Sequence, residues 1–153
     1  TGPGVTGKLV FAQNIGANPT TASFAYFDSV NGIGAGRVIG TIAANGDFTI
    51  PGPNVPGSYK LYVRSGHWLR KRVNVVTATS TTPNIGTITL ANGDCNGDNV
   101  IDLSDYTIVV TAFNGILGSG TYDARADLNT DNVVDLTDYT AVVVNFNGLD
   151  ETP

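Results

Sequence analysis

The chain has 153 residues, of which 41% are hydrophobic and only 14% charged, with 19 Gly, one Cys and no Met. That length suits one or two small domains, the ordinary apolar content excludes a disordered chain, and no apolar run is long enough to span a membrane. The net charge of −5 argues against nucleic acid as a partner, and the missing Met, even at position 1, leads us to expect a processed chain whose signal peptide has been removed.

Residues 5–91 read as strands throughout. Val5, Leu9 and Phe11 alternate with Lys8 and Val10, and Phe24 and Tyr26 alternate with Ala25 and Phe27. Short β-branched or aromatic runs follow at Val38–Ala43, Phe48–Ile50, Tyr59–Arg64, Leu69–Val76 and Ile85–Leu90, punctuated by Asn-Gly, Pro-Gly and Ser-Gly turns. Seven such strands predict a β-sandwich over residues 1–92, with Asn45-Gly46 as a tight hairpin turn. The leading segment Thr1–Gly4 is expected to be free to add a strand to a neighbour's sheet. Within the sandwich, RSGHWLRKR gathers Arg64, Arg70, Lys71 and Arg72 around His67 and Trp68. It is a candidate surface for an anion, a glycan or the acidic half of another chain; the alternative is a solvated strand face with Trp68 packed at a sheet edge. The hydroxyl-rich run after Val76 offers Thr77, Thr79, Ser80, Thr81 and Thr82 as candidate O-glycan sites.

Only Ala91-Asn92-Gly93 separate the last strand from a second unit, residues 93–153. Charge divides at this boundary. Residues 1–92 carry seven Lys/Arg and two Asp, for +5, whereas residues 93–153 carry one Arg and eleven Asp/Glu, for −10. The second unit writes one pattern twice at an offset of 33 residues: DCNGDNVIDLSDYTIVVTAFNG from Asp94 and DLNTDNVVDLTDYTAVVVNFNG from Asp127. Each copy places oxygen side chains at loop positions 1, 3, 5, 9 and 12. These are Asp94, Asn96, Asp98, Asp102 and Asp105, then Asp127, Asn129, Asp131, Asp135 and Asp138. Val100 and Val133 supply the backbone carbonyl at position 7. A hard cation taking six to eight oxygens fits this spacing, and the number and flexibility of ligands favour two Ca²⁺ over Mg²⁺. Zinc is disfavoured by the lack of His and the single Cys. Position 6, normally Gly, is Asn99 and Asn132, the type next best suited to a left-handed backbone. Cys95 is either a tolerated small residue or half of an intermolecular bridge.

A helix is expected after each loop. Leu103, Tyr106, Val109, Val110 and Phe113, and likewise Leu136, Tyr139, Val142, Val143 and Phe146, fall at helical spacing and are expected to pack on one another. Ile108, Thr111, Ala141 and Val144 would then form a second, uncharged face suited to a protein partner.

The pattern D-x-N-x-D-x-x-V-D-L-(S/T)-D, followed by an apolar helix ending in Phe, resembles the type I dockerin repeat, in which a calcium loop precedes one helix. The stretch TYDARADLNTDN looks like the dockerin linker, and the resemblance covers Gly93 to about Leu149. It implies calcium binding and a cohesin-like partner. The first half, through N-G-D-F-T-I, V-P-G-S-Y-K-L-Y-V and a closing I-T-L, resembles the carboxypeptidase regulatory-like family, which implies a transthyretin-like, non-catalytic accessory sandwich.

The opposed charges of the two halves lead to the expectation of an extracellular or cell-surface bacterial protein that assembles head to tail with copies of itself. In that assembly Arg64, Arg70, Lys71 and Arg72 would steer the next copy and Trp68 would add affinity. The alternative is an anchoring module of the X-module–dockerin type that docks onto a cohesin-like receptor. Only Asp28, Asp47, Asp123, Asp150 and Glu151 lie outside the loops, without a facing carboxylate pair, so hydrolysis is not expected.

Overall fold

A computed structural model describes residues 2–152. Seven strands, β1 (Gly2–Phe11), β2 (Thr21–Asp28), β3 (Gly34–Thr41), β4 (Asp47–Gly52), β5 (Gly57–Ser65), β6 (Trp68–Thr77) and β7 (Asn84–Leu90), precede two helices, α1 (Leu103–Thr111) and α2 (Leu136–Val144). The strands form two sheets, ordered β4-β1-β7 and β3-β2-β5-β6, so the sandwich and the β-then-α order are as expected. Alternation fixes the inner faces. Ala22, Phe24 and Tyr26 of β2 point inward, as do Phe48 and Ile50 of β4. Phe24 meets Phe48 across the sheets at 4.8 Å between ring centroids.

Asn45-Gly46 makes the expected tight turn, closed by an antiparallel bridge between Ile42 and Phe48 and by the Ala43 amide on the Asp47 carbonyl at 2.9 Å, although β3 and β4 belong to different sheets. Gly46 has φ 92°, and a Cβ there would lie 2.2 Å from the Leu9 carbonyl oxygen, so only glycine serves. The leading segment is not free. Gly2 and Gly4 pair with Gly52 and Pro51 of the chain's own β4, while Thr1 lies outside the described residues.

Trp68 and Leu69, adjacent in β6, enter two different cores. Trp68 is 1% exposed, sits edge-on to Phe11 at 5.0 Å and donates its indole N–H to the Ala12 carbonyl at 3.0 Å. It belongs to the sandwich core and is unavailable to a partner, because burying so large an apolar ring outweighs its position in a basic stretch. Leu69 points the other way, into the second core, with Ile101, Val109, Leu128 and Val142. The second unit is therefore packed against the sandwich, and part of its core comes from a sandwich strand. Leu69→Ala should cost about 2–5 kcal/mol, and calorimetry should show that loss in the transition of the helical half, with the sandwich little changed.

Candidate metal centre and docking face

Each loop is organised by its last carboxylate. Asp105 Oδ1 accepts the amides of Cys95 (2.7 Å) and Asn96 (3.2 Å), and its Oδ2 accepts that of Asp102 (2.9 Å). Asp138 does the same with Leu128, Asn129 and Asp135. Asp102 and Asp135 return the favour by capping the helices, accepting the amides of Ser104 and Thr137 at 2.7 and 2.8 Å. These reciprocal boxes satisfy orphan N–H groups and place negative charge at the helix N-termini. Asn99 and Asn132 have φ of 75° and 70°, the left-handed turns expected at position 6. At position 4 Gly97 has φ 77°, but its counterpart Thr130 also sits at φ 59°, a strained value for a β-branched residue. Thr130 is held there across the domain boundary, its hydroxyl donating to Asn14 at 2.7 Å.

In the first loop Asp94, Asp98 and Asp105 bring carboxylate oxygens within 4.8 Å of one another. Asp94 and Asp105 are buried, as are Asp127, Asn129 and Asp138 of the second loop. Asn96 donates to Asp98, and Asn129 to Asp131, each at 3.0 Å. Val100 and Val133 form isolated bridges with Leu149 and Ile116, so each loop is pinned by the segment that follows the other repeat's helix. Buried carboxylates gathered this closely are costly unless a cation neutralises them, and an all-oxygen donor set fits a hard divalent ion.

The position-1 aspartates gain donors from outside their loops. Arg64 Nη2 donates to Asp94 Oδ2 at 3.0 Å, whereas Asp127 Oδ2 accepts the Tyr122 hydroxyl at 2.8 Å. Burial, then the hydrogen bond to Asp127, pushes the Tyr122 phenol up to about 12, so it remains a donor. Cys95 is buried at the loop base, and burial followed by the charge of Asp105 pushes its thiol up to about 12. An intermolecular bridge through it is thereby disfavoured.

The basic stretch also faces inward along the chain. Arg70 pairs with Asp150 at 3.2 Å and Lys71 with Glu151 at 3.2 Å. The Arg72 amide donates to Glu151, and the Tyr62 hydroxyl to the Thr152 carbonyl at 3.0 Å. Asp150 and Glu151, read from sequence as unremarkable acids, clamp the tail to the edge of β6. Sequence spacing gave no sign of this, because the partners are 80 residues apart. Asn92 is likewise a hub of the junction. Its side chain meets His67 Nδ1 at 2.7 Å and the Leu128 carbonyl at 2.7 Å, and its own carbonyl accepts from Asn145 at 2.8 Å.

The helices are rotated from the expected orientation. The inward stripe is Asp105, Val109 and Ala112 on one and Asp138, Ala141 and Val142 on the other, since the position-12 carboxylate must face its loop. Ala141 is therefore core, and Ile108 is half-buried against it; neither stands on an open face. Of the stripes expected inside, Val109 and Val142 are buried and Tyr106 and Tyr139 pack on each other at 5.6 Å, whereas Leu103, Val110 and Phe113 and their counterparts Leu136, Val143 and Phe146 are exposed. Thr111 and Val144 are exposed as expected. Of the hydroxyl run, Thr79, Ser80, Thr81 and Thr82 are exposed, but Thr77 is buried and its hydroxyl accepts the Gly57 amide at 3.2 Å.

Two loop-helix repeats that share a core and pin each other's loops define a tandem calcium-loop domain. Residues 92–147 match the dockerin type I domain family, and dockerin domains bind calcium. The chain thus carries a dockerin-like segment preceded by a β domain. No curated protein sequence matches it. Two solved structures from Acetivibrio cellulolyticus, an N-terminal and a C-terminal interface mutant of a type II cohesin–X-dockerin complex, each contain a chain with the same fold. Each match has a TM-score of 0.70 and 22% identity, covering 97% of this chain and 98% of that one.

Burial raises the Asp94 carboxyl above its ordinary value despite the amides of Asn99 and Gly97 and the charge of Arg64; burial likewise raises Asp138. A carboxyl raised in the folded state binds more protons there than in the unfolded chain, so its contribution to stability grows as pH falls from neutral toward the ordinary Asp range. Asp123 and Glu151 of the same unit are lowered and act in the opposite sense, so thermal melting in chelator should show a stabilisation on acidification that shrinks in Asp94→Asn and Asp138→Asn. In excess calcium the trend should reverse, because protons and the cation compete for the same oxygens.

Proposed function

We propose that the protein is a non-catalytic, extracellular anchoring module whose helical face docks onto a cohesin-fold partner, with one calcium ion in each loop. One observation carries this reading. Leu103 and Val110 of α1 and Leu136 and Val143 of α2 are exposed, with Phe113 and Phe146 just beyond each helix, and the only charged side chains in either helix, Asp105 and Asp138, are buried. Soluble surfaces rarely leave such uncharged apolar stripes without a partner. Calcium neutralises the buried carboxylates when bound. Asp94, Asn96, Asp98 and Asp105, with the Val100 carbonyl, are positioned to hold it in the first loop, and Asp127, Asn129, Asp131 and Asp138, with the Val133 carbonyl, in the second; Asp102 and Asp135 hold the helix starts. The full-length likeness to a chain of a cohesin–X-dockerin complex agrees in fold with this reading.

Head-to-tail self-assembly, the expectation drawn from the opposed charges, finds no support. Arg64, Arg70 and Lys71 are paired with Asp94, Asp150 and Glu151 of the same chain, so three of the four cations expected to steer the next copy are already engaged internally. Among the described residues no helix is long and apolar enough to cross a membrane.

Calorimetric titration with a type II cohesin module tests the proposal. Binding is expected in calcium and not in chelator, and the double variant Val110→Asp, Val143→Asp should lose roughly a hundredfold or more in affinity. Full affinity in that variant would remove the helical face from the interface. Absence of cohesin binding together with light-scattering species that grow with protein concentration in calcium would restore self-assembly.

A further inference from the structure

Among the described residues, one cation of the sandwich reaches a calcium-loop ligand. Arg64, at the end of β5, donates through Nη2 to Asp94 Oδ2 at 3.0 Å and through Nη1 to the side-chain oxygen of Asn99. It thus grips positions 1 and 6 of the first loop with one rigid fork, a geometry that lysine cannot reproduce. Asp94 has a fully buried side chain and Arg64 a 27% exposed one. Asn99 is the left-handed residue at position 6, and its carbonyl is fixed from the other side by the Asp150 amide at 3.0 Å. The second loop has the same backbone contact, from the Leu117 amide to the Asn132 carbonyl at 2.9 Å. Its position-1 aspartate, however, is oriented by Tyr122, five residues away within the same unit. The two loops are near copies in sequence, and the sandwich touches both, the second through Asn14, Ile15 and Gly16; yet only the first takes the side-chain donor of its position-1 aspartate from the sandwich.

We infer that Arg64 is a positioning residue for the first calcium loop, so that the position-1 carboxylate there, and with it calcium affinity, depends on a sandwich side chain, whereas the position-1 carboxylate of the second loop does not. This rests on the reading that both loops bind calcium. Two effects of Arg64 oppose each other. A fixed positive charge beside a cation site repels the cation, whereas a fork that holds Asp94 and Asn99 lowers the ordering cost of the loop. Asp150, 3.8 Å from the same guanidinium and shared with Arg70 at 3.2 Å, offsets part of its charge, which leaves positioning as the larger of the two effects. By linkage, occupancy of the first loop must tighten the junction between the two units through the same contact.

The test uses the full chain, with loop amides followed by NMR through a calcium titration: Gly97 and Asn99 for the first loop, Asp131 and Asn132 for the second. Arg64→Lys and Arg64→Gln should both weaken the first loop by roughly fivefold or more while the second stays within about twofold. Tyr122→Phe should invert that pattern. In chelator, the Asn99 amide should exchange faster in Arg64→Gln than in the parent. A first loop that is unchanged or tightens in Arg64→Gln would overturn the inference, as would equal losses at both loops, which signal general destabilisation. A parent protein in which neither loop titrates would instead remove the calcium reading on which the inference rests.

Discussion

The rest of the second unit depends on where two buried carboxylates can go. Asp105 and Asp138 each accept three backbone amides, two from the start of their loop and one from the helix cap, and cannot leave those donors without orphaning them. Because each sits at the third position of its helix, it fixes the rotation of that helix about its axis. Residues on the same side of the helix then face inward, Val109 and Ala112 four and seven places after Asp105, and Ala141 and Val142 three and four places after Asp138. Leu103, Val110, Leu136 and Val143 are left on the outside. The apolar face offered to a partner is a consequence of the calcium loops, and the two properties are not separable by surface design alone.

The same economy governs the junction. A three-residue connection cannot act as a flexible tether, and here it is itself structural: Asn92 is completely buried and hydrogen-bonded on both sides of the boundary. Leu69 supplies core to the helical unit from a sandwich strand, and Ile15 and Gly16 of the sandwich donate to the Asn129 carbonyl in the second loop at 3.0 and 2.9 Å. A side chain at Gly16 has no room, since its Cβ would lie 2.1 Å from the Thr130 carbonyl oxygen. The tail closes the arrangement by laying Asp150 and Glu151 along β6, where they occupy amides that an edge strand would otherwise expose. The two units are therefore joined by shared core and hydrogen bonds, and three cations of the basic half, Arg64, Arg70 and Lys71, pair with Asp94, Asp150 and Glu151 of the acidic one.

The β-then-α order, the seven strands, the tandem loops and the left-handed turns at Asn99 and Asn132 were all legible in the residues. All of these rest on local signals: alternation of period two, a repeat at fixed offset, and residue types whose backbone preferences act within a few positions. Tertiary structure alone decided which side of each helix is buried, because two overlapping apolar stripes both satisfy helical spacing and only the inward carboxylate chooses between them. It also decided that Trp68 is core and that Arg64, Arg70 and Lys71 are spent on Asp94, Asp150 and Glu151. Composition counts charges but not distances, and those partners are separated by 30 to 80 residues of chain that only the packed fold brings to within about 3 Å.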